Sequence, residues 1–134
     1  MENPEVPNDV VDACICNNGS EFDIANLASL VLGKSRHRYT GTRIWEYFDG
    51  TKWSVDPRMT HILKAIRLEV AHVVMERSLY WQERSKDVAL DDKFECQLRS
   101  MRLLQVCAKI KNNTFLTKVV KECRAFFEDE TLGC

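Results

Sequence analysis

The chain predicts an α+β fold, mainly α: about four helices with one β-hairpin (about 43–55) packed on them. Apolar residues recur at helical spacing through 57–86, 91–111 and 115–127. Asp49-Gly50 lies between two strand-like runs, and Asp-Gly is among the strongest short hairpin signals because a type I′ turn needs positive φ at both central residues. A length of 134 residues is enough for a single domain with a core of its own.

In chain order, residues 1–19 hold Pro4, Pro7, Asn17, Asn18 and Gly19. They read as a flexible acidic N-terminal arm with a short helical turn at 9–16. Residues 20–130 read as one helical domain carrying the hairpin, and 131–134 as a tail. Ser20 is a natural N-cap for a helix over 21–32, with Glu21 and Asp23 in its positive first turn. Gly33 is its C-cap. Lys34-Ser-Arg-His-Arg38 follows as a basic loop. Asp56-Pro57 marks the next helix start, since Asp caps and Pro at the first position loses no needed hydrogen bond. Its apolar stripe runs from Met59 to Trp81. The helix over 91–111 spreads apolar residues around most of its circumference, so it is expected to pack on more than one side. Asn112-Asn113-Thr114 stops it and caps 115–127, where Phe115, Leu116, Val119, Val120, Cys123, Phe126 and Phe127 share one face.

Within the hairpin, a two-residue turn at Asp49-Gly50 pairs Phe48 with Thr51, Glu46 with Trp53 and Ile44 with Val55. One face then carries Ile44, Phe48, Trp53 and Val55. The other carries Trp45 and Tyr47 beside Lys52. A lone two-stranded ribbon is marginal in water, so one face must be covered. Trp53, with Ile44 and Phe48, is expected to anchor the ribbon on the helix that follows Pro57.

Net charge is only −1, but it is unevenly distributed. Residues 1–33 hold six acids and no Lys or Arg. Residues 34–67 hold eight bases against three acids, a net of +5, and 99–124 hold seven against one, a net of +6. Two basic blocks on a nearly neutral chain are a candidate phosphate-binding footprint; the competing reading is the ordinary charge of helical surfaces. The acidic N-terminus does not resemble a signal peptide, and no apolar run reaches membrane-spanning length. An intracellular protein with reduced thiols is expected for its six cysteines.

Catalytic patterns do not assemble. Gly33-Lys34-Ser35 resembles the end of a phosphate-binding loop, but position 28 is Ala where a Gly is needed, and a helix rather than a strand precedes it. Cys14-Ile-Cys16 has no second Cys or His pair to complete a zinc set. His61 and His72 stand three turns apart on one helix and read as solvent-facing. The expectation is therefore no catalytic residue, no metal and no cofactor in this chain alone.

One pattern remains: Trp45-Glu-Tyr47-Phe48-Asp49-Gly50-Thr-Lys-Trp53-Ser-Val-Asp56, opening a long helix and preceded by Asp23-Ile-Ala-Asn-Leu-Ala and a basic loop. It resembles the region just ahead of the superfamily 3 helicase core in viral helicase-primases of poxviruses, other large DNA viruses and phages. The resemblance covers about 20–130. It implies a non-enzymatic module of an ATP-dependent DNA helicase-primase, contributing to DNA binding, to helicase ring assembly, or both. The partners it implies are single-stranded or forked DNA, helicase or primase domains or subunits, and further copies of the chain. The primase acids and the helicase ATP site are absent from this stretch.

The candidate nucleic-acid contacts are Lys34, Arg36, Arg38, Arg43, Lys52, Lys64, Arg67, Lys109, Lys111, Lys118 and Lys121 for phosphates, with Trp45 and Tyr47 for stacking on bases. The competing reading of the two aromatics is that they cover a helix face. The alternative function is a stand-alone protein–protein interaction or oligomerisation module without nucleic-acid contact, for which the many-sided helix 91–111 is the sequence support.

Overall fold

The computed structural model describes residues 6–16, 19–40 and 42–128, the side chains of Ile15 and Cys16 excepted. The expected tail 131–134 and the first five residues of the expected arm lie outside them. The elements are α1 (Asn8–Cys16), α2 (Glu21–Leu32), β1 (His37–Tyr39), β2 (Trp45–Phe48), β3 (Trp53–Val55), α3 (Thr60–Ala65), a π turn (Ile66–Val70), α4 (Ala71–Arg84), α5 (Leu90–Ile110) and α6 (Asn113–Phe127). The fold is thus mainly helical, with one small antiparallel sheet in the order β1-β2-β3.

The helix ends follow the local chemistry. Ser20 Oγ accepts from the Asp23 amide at 3.2 Å and opens α2. Gly33, at φ 70°, closes it, its amide donating to the Ser29 carbonyl. Asn112 Oδ1 accepts from the Phe115 amide at 3.0 Å and opens α6. The Gly33-Lys34-Ser35 stretch is a helix cap running into a turn.

The region expected as an arm is, from residue 6 to 16, part of the packed body. Val11 and Cys14 are buried. Arg77 donates twice to Asp12, at 3.0 and 2.8 Å, and Trp81 Nε1 donates to the same carboxylate at 3.0 Å. Asp12 therefore ties α1 to α4 through a half-buried charge-assisted pair. Gly19, at φ 66°, packs so closely on Val106 of α5 that a Cβ there would lie 3.0 Å from its methyl group.

The core is shared by all six helices: Ile24, Leu27, Ile62, Ile66, Val70, Val74, Leu103, Ile110, Leu116, Val119 and Phe127 are fully buried. Cys14 and Cys123 lie within it, and burial pushes both thiols up to about 12. They behave as small apolar side chains.

Two expectations about the hairpin are corrected. Its register is displaced by two residues, with Phe48 opposite Trp53, Tyr47 opposite Ser54 and Glu46 opposite Val55. The connection spans Asp49 to Lys52. Asp49 Oδ1 accepts from the amides of Thr51 and Lys52 and from the Thr51 hydroxyl, and Gly50 adopts φ 107°. An Asp at the first turn position, binding the backbone ahead of it, competes with the tighter two-residue turn and wins here. These bonds lower the Asp49 carboxyl to about 2, mainly through the two amides.

The buried face is also the opposite of the expected one. A third strand, β1, pairs with β2 through His37–Tyr47, Arg38–Glu46 and Tyr39–Trp45. This three-stranded sheet turns Trp45 inward to 5% exposure, against Tyr39 at 5.3 Å and Phe127 of α6 at 5.6 Å between ring centroids. Ile44, Phe48 and Val55 remain exposed. Trp53 lies on that outer face, edge-on to Phe48 and under the Arg38 guanidinium at 4.1 Å. It does not anchor the ribbon on the long helix. Both faces carry a Trp, so size does not choose between them; Trp45 is the one that meets aromatic partners on the body side, Tyr39 of β1 and Phe127 of α6.

Replacing Trp45 by Ala is expected to cost about 3–5 kcal/mol, as for other buried Trp truncations, whereas Val55→Ala on the outer face costs less than about 0.5 kcal/mol. Urea titrations followed by circular dichroism distinguish this from the reverse orientation, in which Val55 would be the costlier loss.

Candidate nucleic-acid interface

The inner face of the sheet meets α3 around one residue. Asp56 follows β3, and its amide donates to the Trp45 carbonyl at 2.8 Å. Its buried carboxylate accepts from the amides of His61 at 2.8 Å and Ile62 at 3.0 Å. Asp56 is thus a cap, as its position before Pro57 suggests, but for a helix starting later than expected. Pro57–Met59 form a short 3-10 turn, and Arg58 and Met59 take φ 55° and 60°. Two consecutive left-handed residues cost backbone energy. They bend the chain so that the carboxylate reaches the first free amides of α3.

Asp56 also orients a side chain. His61 Nδ1 lies 3.1 Å from Asp56 Oδ1. Against a carboxylate that nitrogen is the donor. The ring stacks on Tyr47 with centroids 3.6 Å apart and planes 11° from parallel. His61 faces solvent, as expected, but its ring is held by Asp56 and Tyr47. His72 is more exposed and pairs with Glu76 at 3.0 Å.

This stacked pair forms one wall of a cleft of about 260 Å³, lined further by Arg36, His37, Phe48, Lys64 and Glu69. Arg36 donates to both Glu69 oxygens, at 3.2 and 2.7 Å. Lys64 is exposed. His37 is 6% exposed, and burial, then the neighbouring Arg36, lowers its pKa below 6.5. It is therefore a neutral ring at pH 7.

Of the sequence-derived candidates, Arg36, Tyr47 and Lys64 come together at this cleft. Lys34 is exposed in the turn after α2, Lys52 in the hairpin connection, and Arg43 before β2 at φ 64°. Arg38 is committed to the sheet, donating to Glu46 at 2.7 Å and covering Trp53. Arg67 is half-buried in the π turn. Lys109 lies over the Phe115 ring at 4.7 Å; Lys111, Lys118 and Lys121 are exposed on α6 or just ahead of it. These four do not line the cleft. Trp45, buried beneath the sheet, is not a surface for base stacking; it covers a helix instead.

Sequence reasoning missed His37 and the pairing role of His61. A His five residues after a capping Asp is a usable signal once the helix start is moved to Thr60. For His37 no signal existed, because β1 is only three residues long. Among the described residues, no three His, Cys, Asp or Glu side chains cluster to hold a metal ion, and no helix is long and apolar enough to cross a membrane. No family model, curated protein or solved structure matches this chain.

Two outcomes are expected. Asp56→Ala removes the α3 cap and the His61 partner and costs about 2 kcal/mol in urea unfolding, at the upper end for N-caps; Asp56→Asn, which keeps an acceptor, costs less. For His37, the lowered folded pKa means that the unfolded chain binds the proton first as pH falls. Stability is then highest above pH 6.5 and declines below it. Melting temperatures of wild type and His37→Leu, compared between neutral and mildly acidic pH, are expected to show a flatter profile for the variant.

Proposed function

We propose that this chain is a non-enzymatic nucleic-acid-contacting module of a viral-type helicase-primase, which binds single-stranded or forked DNA through the cleft between sheet and α3. The observation that supports this most is the cleft itself. It sets a stacked Tyr47–His61 pair beside Lys64 and Arg36, with Lys34 and Lys52 exposed on adjoining loops. Aromatic rings interleaved with cations are how sequence-tolerant single-strand binders hold bases and phosphates together. The cations are partly engaged, since Arg36 is held by Glu69. Binding is then an exchange of one anionic partner for another, and its strength is modest.

The helicase-primase assignment is supported by the Trp45–Asp56 motif and by the order of helix, basic segment, hairpin and long helix. In that reading the chain contributes position and charge, and hydrolysis of ATP resides in the domains or subunits it assembles with.

Fluorescence anisotropy with single-stranded and duplex DNA at two salt concentrations tests the contact. Affinity is expected to fall with salt, and Lys64→Glu to weaken binding and reduce the salt slope by about 1. Absence of binding at low salt overturns the DNA-contact reading.

A further inference from the structure

The helix α5 carries a largely apolar stripe that none of the described residues covers. Leu90, Phe94, Met101 and Leu104 are exposed, with Leu90 at 81% and Phe94 at 69%. Gln97 and Ala108 complete the stripe and are also exposed. The six positions fall at alternating intervals of four and three residues, the spacing of a coiled-coil seam. The buried face of α5, formed by Cys96, Ser100, Leu103, Val106, Cys107 and Ile110, is a separate one, used against the body of the protein. The helix is thus amphipathic twice over, which is why its apolar residues spread around its circumference.

The charge along α5 selects the occupant. Its first turns carry Asp91, Asp92 and Glu95, all exposed, against one base, the half-buried Lys93, so they remain net acidic. From Cys96 to Lys111 it carries Arg99, Arg102, Lys109 and Lys111 and no acid. A second copy of α5 laid parallel would set acid on acid and base on base. Laid antiparallel, it sets the net acidic first turns of each helix beside the stretch of the other that holds bases and no acid, and opposes the two helix dipoles. A surface that complements itself under a two-fold rotation is what an isologous interface requires. We propose that this face of α5 pairs antiparallel with α5 of a second copy of the chain, giving a two-fold dimer.

The register follows from the seam. With the two-fold axis near Arg99, Leu90 lies opposite the partner's Ala108, Phe94 opposite the partner's Leu104, and Gln97 opposite the partner's Met101. Each layer sets a larger side chain against a smaller or more flexible one. Met101 lies close to the axis and so is used twice within a short distance. The inference is independent of nucleic-acid binding, since α5 contributes no residue to the sheet–α3 cleft.

Light scattering coupled to gel filtration of the full chain, across a wide concentration range, is expected to give twice the mass of the single chain at the upper end. Met101→Glu, at an exposed position, is expected to give a monomer with unchanged circular dichroism and melting profile. A wild-type monomer throughout, or a Met101→Glu dimer as tight as wild type, overturns the proposal. Direction is tested by oxidation. Leu90→Cys combined with Ala108→Cys is expected to crosslink into a covalent dimer beyond the wild-type level, and Leu90→Cys alone is not. Crosslinking by Leu90→Cys alone indicates a parallel pair and overturns the antiparallel arrangement.

Discussion

The carboxylate of Asp56 is the point at which sheet and helices become one structure. Its amide completes a bond to β2, and its two oxygens take the amides that open α3. A short, weak sheet is stabilised only if something fixes its inner face. Asp56 fixes the distance between β2 and α3, and Trp45 then fills the space beneath. The two left-handed residues Arg58 and Met59 are the strain accepted for this arrangement. A straight helical start at Pro57 would place the carboxylate beside different amides and carry His61 away from Tyr47. The stacked pair, and hence the cleft, is a consequence of how the helix is capped.

Most helices were legible because their signals are local. Ser20, Gly33 and Asn112 act within three or four residues of themselves, and the structure uses all three for the expected ends. The same locality explains the errors. The fate of Trp45 depends on Phe127, eighty-two positions away, and no window around the hairpin contains that information. The partition of the ribbon into two faces was correct, since a register displaced by two residues preserves the alternation. Which face is buried was decided by long-range packing. Likewise α1 seemed detached on composition, whereas Asp12 finds its partners on α4. Of the candidate site, the cations were readable as residues, but their grouping was not. Arg38 and Arg36 already have intramolecular carboxylate partners, and Lys109, Lys111, Lys118 and Lys121 sit away from the cleft.

The basic blocks therefore do different work. In the block over 34–67, Arg38 holds the sheet and Arg36 ties β1's approach to the π turn through Glu69. In the block over 99–124, Arg99 pairs with Glu95 within α5 and covers Trp81, and Arg124 covers Tyr39. The guanidinium groups of Arg38, Arg77, Arg99 and Arg124 act as planar lids on aromatic rings, a use for which Arg is better suited than Lys. The lysines, compact and more strongly hydrated, remain at the surface. A charge count treats the two alike, whereas among the described residues four of the five cations that lie over rings are arginines, Lys109 over Phe115 being the other.

That separation bears on how one small domain can serve two surfaces. The cleft between sheet and α3 is polar, aromatic and partly ion-paired, so the contact proposed for it would be sensitive to salt. The exposed seam of α5 is largely apolar, with Gln97 within it, so the pairing proposed there would draw its strength from area removed from water and lose less to salt. The two surfaces use different helices. They also respond oppositely to added salt, which weakens charge contacts and strengthens apolar burial when the ions are excluded from the surface. If nucleic acid binds the cleft and two copies pair through α5 as proposed, raising ionic strength releases the nucleic acid while the pairing persists, and that difference follows from the side chains that each surface displays.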